Sequence, residues 1–159
     1  MLMKKVLHFG FMFLFVVSLG ACSGGKQPAI EVKDATSKTR FAVSSDGVIS
    51  DADSGLEWLE GPNQDTKYAS ATNWVANCKV AGGGWRMPTV QELKTLYLPG
   101  VGQRNMDPVF KTSVWRVWAE SGGSSSMSAV EFPGGNEVLF RTGQYLEGCR
   151  VFVVRSRPQ

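Results

Sequence analysis

Histidine is almost missing from this chain. Its 159 residues include one, His8, and that one lies in a segment that reads as removed on export. A mature chain without imidazole excludes Ser-His-Asp and Cys-His catalysis and histidine-ligated zinc. Cysteine is scarce, with three residues at positions 22, 78 and 149. An excess of one charge is lacking too. The 17 Lys+Arg face 14 Asp+Glu; losing Lys4 and Lys5 leaves 15 against 14, or +1. A domain built for phosphate usually carries a strong basic excess, so nucleic acid is not an expected partner. Internal repeats and coiled-coil heptads are absent from the sequence. Past the first twenty residues no apolar run approaches membrane-spanning length.

What is present begins with that apolar run. Of the 21 residues Met1–Ala21, 15 are hydrophobic. Lys4-Lys5 form a positive start, and Val6–Leu19 is broken only by His8, Gly10 and Ser18. As a helix this run spans roughly 21 Å against a ~30 Å hydrocarbon core, so residues 1–21 read as a signal peptide. Leu19-Gly20-Ala21-Cys22 resembles a bacterial lipobox, with small residues before the cysteine. The resemblance to bacterial lipoproteins implies that Cys22 becomes an acylated N-terminus and that the chain meets the membrane through that lipid. Several acyl chains together hold a protein stably. Ser23, in place of the Asp of inner-membrane retention, points to the outer membrane. Residues 22–40 are polar and aperiodic and read as a lipidated, flexible tether, with a root-mean-square span of roughly 20–25 Å.

Residues 41–159 suffice for one domain. Strands are expected at Phe41–Val43, Val48–Ser50 and Leu56–Leu59, separated by Ser45-Asp46-Gly47 and Asp51–Gly55 turns. Tyr68, Ala71, Val75 and Cys78 have helical spacing within 65–81, and Gly82-Gly-Gly84 stops that helix. Thr89-Val-Gln-Glu92 is a capping box that starts a second helix over 89–98. Further strands are expected at 114–119, 128–132, 137–141 and 150–155. The class is α+β, with two helices and a mostly antiparallel sheet.

Four short blocks carry a family resemblance. They are Asp53-Ser-Gly-Leu-Glu-Trp58, Gly84-Trp-Arg-Met-Pro-Thr-Val-Gln-Glu-Leu93, Asp107-Pro-Val-Phe110 and Val154-Arg155. In this order they resemble the Lcl C-terminal domain family, the end domain of a bacterial collagen-like adhesin. No Gly-X-Y collagen segment accompanies it here. The resemblance implies a C-type-lectin-like fold and a non-catalytic binding or adhesion role, with sulfated glycosaminoglycans as a ligand class. Trp85, Arg86, Pro88 and Thr89 are expected to be structural. Export would place Cys78 and Cys149 in an oxidising compartment, where a disulfide is the simplest outcome. Closing that loop would stabilise by roughly 4 kcal/mol. The family's last cysteine tends to fall nearer Val153, so Cys149 sits four residues early.

The chemistry on offer is modest. Formylglycine-generating oxidases share the W-R-x-P-T text but hold copper with a closely placed cysteine pair, which Cys78 and Cys149 do not match. No two carboxylates stand out as an acid/base pair. No catalytic residue, metal ligand or cofactor is therefore expected, and an enzyme is the weakest reading. Asp46, Asp51 and Asp53 read as turn residues rather than a calcium loop. Gly61-Pro-Asn63 is only a partial echo of the calcium-lectin signature. From Gly100 onward there are 7 basic and 5 acidic residues. Within that set Arg104, Lys111, Arg116 and Arg141 are the candidate anion-binding residues, although a solvated mixed surface explains them as well. Trp115 and Trp118 should face opposite sides, one of them exposed. The expected function is a non-catalytic glycan- or adhesion-type domain at the cell envelope; the alternative is an assembly subunit of an envelope complex, bound to another envelope protein.

Overall fold

A computed structural model describes residues 39–123, 126–141, 144 and 147–158. The expected signal peptide, the lipidation site Cys22 and nearly all of the expected tether lie outside the described residues. The chain runs β1 (Phe41–Val43), β2 (Ile49–Asp51), β3 (Leu56–Glu60), α1 (Tyr68–Asn77), a short 3-10 turn (Val80–Gly82), α2 (Val90–Lys94), β4 (Arg116–Gly123), β5 (Ser126–Glu131), β6 (Asn136–Arg141), β7 (Cys149–Arg150) and β8 (Phe152–Ser156). It is a mixed helix-and-sheet fold, as expected. One sheet has the order β1-β2-β3-β8 and the other β6-β5-β4-β7. Every pairing is antiparallel except β4 with β7.

Local chemistry sets the first hairpins. Gly47 takes φ +79° and donates to the Ser44 carbonyl at 3.0 Å, a conformation costly for any residue with a Cβ. The next turn is organised by Asp51, whose side chain is fully buried. It accepts from Arg40 Nε and Nη2 at 2.9 Å each, from Asp53 N at 3.0 Å and from Ser54 Oγ at 2.8 Å. A carboxylate so fully engaged is a turn residue, as the sequence suggested. Arg40, expected as the tether's last residue, is part of the domain, since it also donates to the Thr95 carbonyl at 3.0 Å.

The core has two sides because the central strands are buried on both faces. In β8, Phe152 and Val154 enter one cluster with Trp58, Leu93, Phe110, Val117 and Val130. Val153 of β8 and the preceding Val151 enter another with Leu59, Ala71, Trp85, Trp118 and Ala129. The period-2 alternation of a strand makes that division. α2 covers the first side through Leu93, and α1 the second through Ala71.

Both helices are shorter than expected. α1 ends at Asn77 rather than 81, because Cys78 turns extended (φ −72°, ψ 114°) and Ala81 left-handed (φ 47°), and the turn that follows is held from outside. Trp85 Nε1 donates to the Val80 carbonyl at 2.8 Å, and Arg155 Nη1 donates to those of Ala81 and Gly83 at 2.8 and 2.6 Å. At its start, Thr66 N is drawn to the Cys149 carbonyl at 2.7 Å. α2 keeps its capping box, with Thr89 and Glu92 bonded reciprocally, but tightens after Lys94 into i→i+3 bonds at Leu96 and Tyr97.

The expected disulfide is not formed: Cys78 and Cys149 are free, buried thiols. Both belong to the same apolar cluster. Cys149 is fixed without a covalent staple, its N–H donating to Asp65 Oδ1 at 3.0 Å and its carbonyl accepting from Thr66. Burial pushes its thiol up to about 12, so it serves as a small core residue rather than a reactive one.

Candidate functional site

The motif residues converge on scaffold contacts. Arg155 Nε donates to Glu57 Oε2 at 2.8 Å, and its guanidinium lies 4.2 Å from the Trp85 ring centre. Arg86 pairs with Glu92 at 2.5 Å, and its backbone bridges Val154 with two 3.0 Å bonds. Phe110 sits among Phe41, Trp58 and Phe152, with ring centres 5.1, 6.4 and 5.8 Å away. Pro88 is fully buried, and the expectation that Trp85, Arg86, Pro88 and Thr89 are structural holds.

A cleft of about 430 Å³ opens beside that scaffold. One wall is the segment after β3, carrying Asn63; the other is the loop that carries Arg104, Lys111 and Ser113, with Met106 and Phe110 below. The loop is folded back by Asn105, which takes φ +53°. Its Oδ1 accepts from Gly100 N at 2.9 Å, and its Nδ2 donates to the Phe132 and Pro133 carbonyls at 3.1 and 3.0 Å. Gly102 permits the fold-back, because a Cβ there would lie 2.5 Å from the Met106 carbonyl oxygen. Asn63 Oδ1 joins the walls by accepting from Ser113 N and Oγ at 2.9 and 3.0 Å.

Beneath the walls lies Arg150, 3% exposed. Its guanidinium donates to the Gly61 and Lys111 carbonyls at 2.6 Å each, to Glu60 Oε1 at 3.1 Å and to the Pro62 carbonyl at 3.2 Å. Burial lowers Arg150 from its ordinary value and raises the Glu60 carboxyl from its own, the mutual attraction only partly compensating. Arg150 therefore fixes both walls, a role hidden in sequence because it counts there as one more cation.

Of the four candidate anion-binding residues the structure unites two. Arg104 and Lys111 line the cleft, and among the described residues no carboxylate does. Arg104 Nη2 donates to the Ser113 carbonyl at 2.7 Å, while its guanidinium lies 3.5 Å from the ring centre of Trp115. Trp115 is 48% exposed and Trp118 2%, the division expected of them. Arg116 is turned to its own neighbours, 3.2 Å from the Glu147 carbonyl and 3.9 Å from Glu131. Arg141 is at the far end of β6. Its strand partner is Ser126, whereas Arg116 is level with Glu131 and Asn136, five residues or ~17 Å away. Asn63 and Ser113 were missed as wall residues; the Gly-Pro-Asn text was their one signal.

Comparison with curated proteins and with solved structures returns no match. The family model described as Lcl C-terminal domain matches residues 47–155, a span that holds both sheets' central strands and the whole cleft. With that match and the four motif blocks locked into one scaffold, the chain belongs to the Lcl C-terminal domain family.

Proposed function

We propose that this chain is a lipid-anchored protein of the cell envelope, held at the outer membrane through Cys22, whose C-type-lectin-like domain binds anionic or sulfated glycans without catalysis. The observation that carries the ligand class is the cleft wall with Arg104 and Lys111 and, among the described residues, no carboxylate. A guanidinium offers paired donors to sulfate or carboxylate, and an ammonium adds a mobile charge. Arg104 is already ordered by Trp115 and Ser113, so less side-chain entropy is lost on binding. The exposed face of Trp115 beside it is a surface on which a sugar ring can stack. The non-catalytic reading is supported by Cys149, whose burial drives its thiol away from the thiolate that a nucleophile or copper ligand needs.

Full-length protein in detergent, passed over a sulfated-dextran column, should be retained and should elute with salt. Arg104→Gln and Lys111→Gln should each elute earlier, and Arg141→Gln should not. Elution of the parent at very low salt, like an uncharged control, would refute the glycan reading. An assembly role finds its support in β6, an edge strand carrying Leu139 at 68% exposure; a single envelope protein captured through that strand, with no glycan retention, would favour it.

A further inference from the structure

A second cleft, of about 380 Å³, lies on the other side of the segment that carries Asn63. We propose that it binds a neutral saccharide, by chemistry separate from the cationic cleft. Pro62 and Gln64 line it, whereas Asn63 between them lines the first cleft. Its opposite side is one face of α1, where Ser70, Asn73, Trp74 and Asn77 recur at i, i+3, i+4 and i+7. Val151, fully buried, contributes the apolar floor. The volume falls within the range of small-ligand pockets.

Three observations select the ligand class. Among the described residues no charged side chain lines the cleft, so an ion entering it would lose hydration without a counter-charge. The lining carries both donors and acceptors. Among the described residues, Thr66 Oγ1 is spent on the Gln64 carbonyl at 3.1 Å, and the bond between two lining side chains runs from Asn77 Nδ2 to Asn73 Oδ1 at 3.2 Å, with a second from the same nitrogen to the Asn73 carbonyl. This leaves Asn73 Nδ2 as a donor and Asn77 Oδ1 as an acceptor, alongside the Gln64 amide, Ser70 Oγ and Trp74 Nε1. A hydroxyl both donates and accepts, so a polyol can satisfy such a mixed set. The third is a half-buried indole beside an apolar floor. Trp74 is held close to the backbone because residue 61 is glycine, where a Cβ would lie 3.4 Å from Trp74 Cη2. A pyranose combines an apolar C–H face for the indole with a rim of hydroxyls for the amides, and it carries no charge.

The test is binding of a panel of uncharged oligosaccharides of glucose, mannose, galactose and N-acetylglucosamine to the full chain in detergent, followed by calorimetry and tryptophan emission. At least one should bind, weakly, with Kd of about 0.1–1 mM, and should still bind at high salt and in EDTA. Trp74→Ala should weaken that binding about tenfold or more, and Asn73→Ala about three- to tenfold. Asn73 is exposed on a helix that tolerates alanine well, so its variant remains informative if Trp74→Ala fails to fold. Lys111→Gln should leave the binding unchanged while reducing retention on sulfated dextran, which separates failure here from failure of the anionic reading. No binding by any member of the panel, binding untouched by Asn73→Ala, or binding lost in Lys111→Gln would each overturn the proposal.

Discussion

Replacing Arg150 by methionine tests the claim that a buried cation holds the cleft together. Methionine keeps much of the apolar stem and removes the guanidinium. Four acceptors then lose a donor: the carbonyls of Gly61, Pro62 and Lys111, and Glu60 Oε1. Glu60 keeps one bond, from Lys111 N at 2.8 Å, but its charge is left in a site where burial already disfavours it. Breaking a buried pair from one side costs about 3–5 kcal/mol. For a domain of this size the melting temperature falls roughly 3–5 °C per kcal/mol, so a drop of about 10–20 °C is expected. Glu60→Gln should cost less, about 1–2 kcal/mol, because the amide oxygen can still accept from both donors. The double variant should recover part of the loss, since no lone charge stays buried. Urea unfolding followed by tryptophan emission measures all three, with Trp58, Trp85 and Trp118 buried as reporters. A loss below about 1 kcal/mol for Arg150→Met, or strict additivity in the double variant, would show that the guanidinium is not the pin described here.

Other sites give further expectations. Asp51→Asn should destabilise by about 1.5–3 kcal/mol at neutral pH. Burial alone would raise the Asp51 carboxyl, but the bonds from Arg40, Ser54 and Asp53 outweigh it and hold it below its ordinary value. Its contribution is therefore present above the ordinary carboxylate range and lost as pH falls through the depressed folded value, so the gap between parent and variant should close in acid. Gly61→Ala should cost about 1–3 kcal/mol in thermal melts, because the new Cβ would lie 2.5 Å from Val151 Cγ1 and 2.7 Å from its carbonyl oxygen. Thr89→Ala, which removes the cap of α2, should cost about 1 kcal/mol by the same assay. Cys149 should resist iodoacetamide in the native protein at mildly alkaline pH, its thiol lying near 12, and should label once the chain is unfolded in denaturant; rapid native labelling would contradict its burial.

Much of the fold was legible because it is local. Asp46-Gly47 needs only its own backbone to turn, and Thr89 with Glu92 needs only one helical turn to cap. The α+β pattern followed from those signals and from alternation along the strands. What escaped was decided at a distance. The turn after α1, where Cys78 goes extended and Ala81 left-handed, is held by Trp85 and Arg155, whose bonds to the Val80, Ala81 and Gly83 carbonyls have no counterpart in helical spacing. The disulfide expectation rested on compartment and parity. The structure instead uses both sulfurs as apolar volume, and places them through the cap of α1 and the bonds of Cys149 with Asp65 and Thr66.

The candidate site was less legible because a sum of charges does not locate a field. Seven basic residues after Gly100 suggested a cationic half, yet two of them are spent inside: Arg150 on Glu60 and Arg155 on Glu57. Arg116 shares Glu131, and Arg141 stands at the other end of its sheet. Arg157 lies past the end of β8 and outside the cleft, so what remains there is Arg104 with Lys111, a local pair in a wall with no carboxylate among the described residues. That pair exists only because Asn105 folds its loop back and Arg150 ties the loop to the segment after β3. The buried arginine thus contributes to the cleft by shape while contributing almost nothing to its charge at the surface. A substitution that raises the positive charge but breaks this geometry, such as Asn105→Lys, should weaken anion binding even though it adds a cation. Asn105→Lys forfeits three hydrogen bonds that hold the loop, at about 0.5–1.5 kcal/mol each, and should elute earlier than the parent from sulfated dextran. Later elution would mean that net charge, and not the arrangement of Arg104 and Lys111, governs retention.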